Sequence, residues 1–183
     1  MDSQAPRIRV WDAAVRCLHW LLVASVAAAW LTTLGWLHWH EAAGYAAAAV
    51  VALRLAWGFA GSRYARFAQF LRGPTATASY AARVLERREP RYIGHNPLGA
   101  WMVLALLACV AALGLTGWLY TRFDMFWGEA WLDQLHAFLG WLLLALIGLH
   151  LAGVAFTSGR HDENLVRAMV DGDKPAPRPG DLS

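Results

Sequence analysis

Charge is scarce in this chain. Only 16% of its 183 residues are charged, against 58% hydrophobic, where a soluble domain carries about 25% charged residues. Such a chain cannot cover a water-exposed fold of ordinary composition. Cysteine is nearly absent. Cys17 and Cys109 lie in or beside separate apolar runs, with no C-x-x-C pair and no C-x-x-C-H for covalent haem attachment. They read as small apolar residues and leave the redox compartment open. "HEAAG" lacks the second histidine of H-E-x-x-H, which excludes a zincin site. No repeat of 20–50 residues is present.

What is present is long apolar runs and 11 tryptophans. Leu18–Leu37, Ala42–Ala60, Leu98–Tyr120 and Leu135–Thr157 each approach the roughly 20 residues that a bilayer core requires. The expectation is an all-α integral membrane four-helix bundle over residues 1–172, its first span retained rather than cleaved as a signal peptide. Residues 1–10 read as a mobile start, and the polar, proline-rich 173–183 as a disordered tail. Gly35 closes the first span. "GPTATASYAARVLERR" reads as a surface helix after Pro74, capped by Thr75 or Thr77.

The arginines are placed by side. Arg7, Arg9 and Arg16 precede span one. Seven more, from Arg63 to Arg91, lie between spans two and three, and Arg160, Arg167, Lys174 and Arg178 follow span four. "GWLHWHE" has no Lys or Arg, and "TRFDMFWGEAWLD" has only Arg122. The positive-inside rule then puts both termini in the cytoplasm of a multi-pass inner-membrane protein. Since the charge follows sidedness, nucleic acid is not an expected partner.

Two histidines, His136 and His150, bracket the apolar run "LHAFLGWLLLALIGLH". Fourteen residues of helix return a side chain to within about 40° of its starting face and move it about 21 Å along the axis. That is too far for one metal ion and suits two stacked sites. The up-and-down topology pairs His19 with His150 on the cytoplasmic side and His40 with His136 on the outer side. Two imidazoles from opposite helices can ligate one non-covalent haem b. Gly44 and Gly140 each lie four residues after a histidine, on its face, where a flat macrocycle needs room or helices pack tightly. Arg54, fourteen residues after His40, either pairs with a haem propionate or snorkels to the interface. Arg16 carries the same two readings. His38 is an alternative to His40. His95 reads as a turn residue that also suits a propionate or quinone, and His161 as solvated.

"WDAAVRCLHW", "HEAAGY", "LRLAWGFAG", "RYIGHNPLGAWM", the span-four "H…LH" and "ENLVRAMVDG" resemble the prokaryotic cytochrome b561 family, which includes the b-type cytochrome subunits of nickel–iron hydrogenases. The likeness covers roughly Arg9–Gly172. It implies a four-helix membrane cytochrome with two b haems, whose ligand motifs fall on His19, His40, His136 and His150. It also implies electron transfer between the quinone pool and a soluble or membrane redox partner, within lipid, with quinone oxidoreduction as the activity to consider. Two other readings stand beside it. One is the membrane anchor of a periplasmic hydrogenase or dehydrogenase, and the other is a proton-coupled transporter using histidines and Arg54 as relay groups.

Overall fold

The computed structural model describes residues 6–182. Four long helices dominate it: α1 (Ala13–Thr32), α2 (Leu37–Ala60), α5 (Pro97–Arg122) and α6 (Ala130–His161). The shortest has 20 residues, enough at about 1.5 Å per residue to cross a hydrocarbon core of about 30 Å. Large apolar side chains such as Leu21, Leu31, Leu53, Leu115, Trp141 and Leu149 are exposed on them, as a lipid-facing surface requires. The protein is an all-α membrane bundle, 74% helical.

The helix bounds depart from the apolar runs for local reasons, and α1 ends at Thr32, short of the expected Leu37. α1 starts at Ala13 because the Asp12 carboxylate caps it, accepting the Val15 N–H at 2.8 Å. It ends where the Thr32 and Thr33 hydroxyls turn back onto the Ala28 and Trp30 carbonyls, at 2.6 and 2.7 Å. Gly35 then takes φ +124°, a value open to glycine. α2 begins five residues before the expected Ala42, which places His38 and His40 in its first turn.

The chain divides into two compact units, and each long helix contributes to both. One comprises Cys17–Leu55 and Leu104–Gly148. Its interior holds Ala47, Val50, Val51, Leu107, Val110, Thr116, Leu132 and Leu143. Small residues let its backbones approach: a Cβ on Gly114 of α5 would stand 2.9 Å from the Ala48 Cβ of α2.

The other unit comprises Met1–Arg16, Ala56–Val103 and Leu149–Ser183. It adds the short helices α3 (Phe67–Phe70), α4 (Pro74–Leu85) and α7 (Leu165–Asp171), with strands β1 (Arg7–Arg9) and β2 (Asp173–Pro175). α4 is capped by Gly73, with Pro74 at its first position. Neither threonine is the cap, because proline's fixed φ suits that position and needs no N–H partner. Val10, Trp11, Val15, Ala65, Ile93 and Ala168 form this unit's core. Gly172 ends α7 at φ +90°, and its carbonyl accepts the Val10 and Trp11 N–H groups at 2.9 and 3.0 Å.

The tail is a correction. Composition predicts disorder from residue 173, yet β2 pairs antiparallel with β1, Lys174 opposite Ile8. Lys174 is 2% exposed, its ammonium 2.9 Å from Glu163, and burial lowers its pKa despite that partner. Arg91 bonds Asp181 and also Glu163, the latter at 3.1 Å. Leu182 exchanges backbone bonds with Arg91 and Ile93. The tail's polar residues are ordered because their opposite charges sit elsewhere in the chain, where a compositional reading does not look. Residues 173–175 thus pair with the N-terminal strand rather than hanging free. Of the mobile start expected over residues 1–10, residues 7–9 form β1 and 1–5 lie outside the described residues.

Asp12 ties this unit together. Besides capping α1, it accepts the Trp57 indole N–H at 3.1 Å and the Ser62 hydroxyl. Burial pushes its carboxyl up, but the hydrogen bonds from Ser62, Val15, Trp57 and Ala14 outweigh this and hold it below its usual range. A depressed carboxylate contributes stability above its unfolded pKa, near 3.9, that is lost as pH falls through the folded value. Asp12→Ala should cost about 1–2 kcal/mol at pH 7. In detergent thermal melts from pH 7 to pH 3, the gap from the parent protein should close at the acid end.

Candidate functional site

His40, in the first turn of α2, and His136, in the second turn of α6, meet within one unit. Their ring centroids are 6.0 Å apart and the planes cross at 76°. Both rings are half-buried, and each is held by a bond at Nδ1.

The His40 Nδ1 lies 2.8 Å from the Ala29 carbonyl of α1. A carbonyl only accepts, so Nδ1 carries the proton. The His136 Nδ1 lies 2.8 Å from the Thr116 hydroxyl of α5. That hydroxyl has its own acceptor in the Ala112 carbonyl at 2.9 Å, so its oxygen is left to accept from His136. Both imidazoles thus take the same tautomer, with the Nε2 lone pair available. A metal-ligating histidine nearly always donates its other ring N–H in this way, which fixes ring orientation and raises basicity.

The separation has a chemical meaning. Rings this close could share one metal ion, a ring nitrogen of each standing about 2.0–2.1 Å from it. Among the described residues no group of three or more His, Cys, Asp or Glu converges on a metal position. A metal between these rings would take its remaining ligands from outside that set of side chains.

Glycines set the walls. A Cβ on Gly117 would stand 3.4 Å from the His136 Cε1, so α5 passes close against that ring. At Gly44, one turn after His40, a Cβ would meet nothing within 4 Å. At Gly140 it would meet the Trp30 ring at 3.5 Å. Of the two glycines singled out in the sequence, Gly44 borders open space and Gly140 borders an indole. The rim is polar: Arg122 donates to the Tyr45 hydroxyl at 3.2 Å and lies 3.7 Å from Glu41.

The other candidates are placed as follows. His19 stands on α1 in the same unit, its ring 5.2 Å from that of Trp20. His150, half-buried on α6, falls in the other unit. Arg54 is 8% exposed on α2. Arg16 donates from Nη1 to the Val170 carbonyl, in the last turn of α7, where a cation also favours the helix dipole. His38 is exposed. His95 is packed between Trp11 and Phe70, with centroids at 4.7 and 4.5 Å. His161 is the last residue of α6.

Thr116 and the Ala29 carbonyl escape a sequence reading that looks for metal ligands. Thr116 had one visible signal, a hydroxyl between Gly114 and Gly117 in an otherwise apolar helix. The Ala29 carbonyl had none, because every residue has one.

A family model described as prokaryotic cytochrome b561 matches residues 10–172. No curated protein and no solved structure matches the chain.

Proposed function

We propose a di-haem electron-transfer function for this chain, which belongs to the prokaryotic cytochrome b561 family. Membership makes it a membrane b-type cytochrome of electron transport. In our reading, His40 and His136 would hold one haem b through its iron, and His19 and His150 would hold a second. Electrons pass between the quinone pool and a redox partner. Both termini face the cytoplasm of the inner membrane, which puts the His40–His136 pair at the outer level.

The observation that carries this reading is the approach of His40 and His136 with both Nδ1 positions engaged. Two Nε2 lone pairs, a centroid distance suited to a shared metal and open space at Gly44 fit a haem iron. When bound, haem b supplies one-electron chemistry. The chain's own residues do the rest. Ala29 and Thr116 hold the rings. Apolar side chains exclude water, which together with axial ligation and hydrogen bonding sets the potential. The second pair rests on the topology of the spans. Arg54, buried within α2, is the cation we assign to a haem propionate, because guanidinium and carboxylate geometries match.

The first test is stoichiometry. Pyridine haemochrome analysis should give about two b haems per chain, all extractable by acid–acetone, as non-covalent ligation requires. His40→Ala and His136→Ala should remove the same haem, while His19→Ala and His150→Ala remove the other. One haem per chain, or His19 and His136 sharing a centre, would overturn the pairing.

Thr116→Val removes the acceptor from His136 without changing the side chain's shape. Losing the hydrogen-bond partner of a metal-ligating histidine typically costs about 10–100-fold in affinity. Haem at the His40–His136 site should be retained more weakly. Its midpoint potential should rise, because a less basic imidazole stabilises ferric iron less. A redox titration in which only the other haem moves would contradict the assignment.

Arg54→Gln should lower the potential of the haem whose propionate it neutralises, since losing a nearby cation favours the more positive oxidised state. At about 8 Å and an effective dielectric of ~20 the effect is roughly 2 kcal/mol at most. Arg54→Lys keeps the charge and should shift the potential less. Equal shifts at both haems would mean that Arg54 serves no particular propionate.

A further inference from the structure

α4 ends in an unusual way. The Arg87 N–H bonds the Val84 carbonyl at 3.1 Å and the Arg88 N–H bonds the Arg83 carbonyl at 2.9 Å, the two bonds of a Schellman motif. The position that this motif places in the left-handed region is normally glycine. Here it is Arg87, at φ +58°, where an L side chain is strained. A strained residue that persists invites the question of what its side chain does.

The Arg87 side chain lines a groove of about 560 Å³ within its unit. Leu85 and Arg87 stand on one wall, and Ala155, Phe156, Gly159 and Arg160 on the other. The apolar part is open: Leu85 is 86% and Phe156 53% exposed. The charged part is braced, because the Arg160 Nε bonds Glu89 at 2.7 Å and the Glu89 side chain is only 1% exposed.

We propose that this groove binds an anionic phospholipid, its phosphate between Arg87 and Arg160 and an acyl chain against Leu85 and Phe156. The groove has the polarity of such a lipid, with two guanidinium groups beside an exposed apolar trough. It lies at the end of a membrane-spanning helix, where apolar sequence gives way to Arg160 and where headgroups sit. Arginine matches phosphate through its planar fork of donors. The surroundings favour an anion as well. Arg91 is committed to Glu163 and Asp181 and Glu89 to Arg160, which leaves Arg83, Arg87 and Arg88 against Glu86 in this stretch.

The strain supplies a discriminating test. Arg87→Gly relieves the left-handed position while deleting the phosphate ligand. The purified haem-loaded protein and its Arg87→Gly and Arg160→Gln variants would be titrated with phosphatidylglycerol in detergent. Bound lipid is counted by native mass spectrometry and stability is followed by thermal midpoint. The parent protein should retain one phosphatidylglycerol and melt several degrees higher with it. Arg87→Gly should keep its haem, melt no lower than the parent without lipid, and lose both the retained lipid and the shift. Arg160→Gln should lose them too. The proposal fails if Arg87→Gly holds phosphatidylglycerol as the parent does, or if phosphatidylcholine gives the same retention and shift. It also fails if inorganic phosphate reproduces the stabilisation, which would mean a soluble-anion site. Masking of the groove by a second copy of the chain in lipid-free samples would likewise overturn it.

Discussion

A polar group inside a bilayer has no water to turn to, so it must find its partner within the bundle. That constraint organises the site. An imidazole always has one N–H to place, and in this chain both Nδ1 hydrogens are placed internally, on Ala29 and Thr116. Satisfying the N–H and presenting the lone pair are one act, because fixing the proton at Nδ1 leaves Nε2 bare. The same two hydrogen bonds meet the requirement imposed by lipid and leave each ring in the form that the proposed haem ligation needs.

Where water is available the chain follows another logic. The unit that contains both terminal segments is held by charges: Arg91 with Glu163 and Asp181, Lys174 with Glu163, Arg160 with Glu89. Buried ion pairs of this kind add little net stability over apolar packing, but breaking one partner is costly. Their value here is registry. They fix β2, through Lys174, against Glu163 and the segment around Arg91 against the chain's end, so the ends of α5 and α6 are tied by a small polar assembly rather than left as loops.

The spans were legible because lipid allows few solutions: long apolar runs, arginines sorted by side, glycine at the turn after α1. His40 and His136 were legible as a pair because helical rise and alternating direction put them at one level. What stayed hidden was relational. Ala29 offers a backbone carbonyl that no residue type advertises, and Thr116 matters only once α5 is known to run beside His136. The tail looked unstructured because Lys174 and Asp181 are polar, and nothing in their neighbourhood names Glu163 or Arg91 as partners. Arg87 gives no sequence signal of its left-handed backbone, since glycine is what marks that position.

Small residues decide how much of this geometry can exist. α5 can lie against α2 because residue 114 has no Cβ opposite Ala48, and at Gly117 the same helix comes within van der Waals reach of the His136 ring. Thr116 stands between those two approaches, so its hydroxyl is carried to His136 by backbone proximity and not by a long, adaptable side chain. A β-branched side chain on a helix has restricted rotamers, and Thr116 is anchored further by its bond to Ala112. The orientation of the imidazole is therefore inherited from helix packing. It follows that ring geometry and helix spacing cannot vary independently: any change that pushes α5 away from α2 or α6 also withdraws the acceptor that fixes the ligand's tautomer.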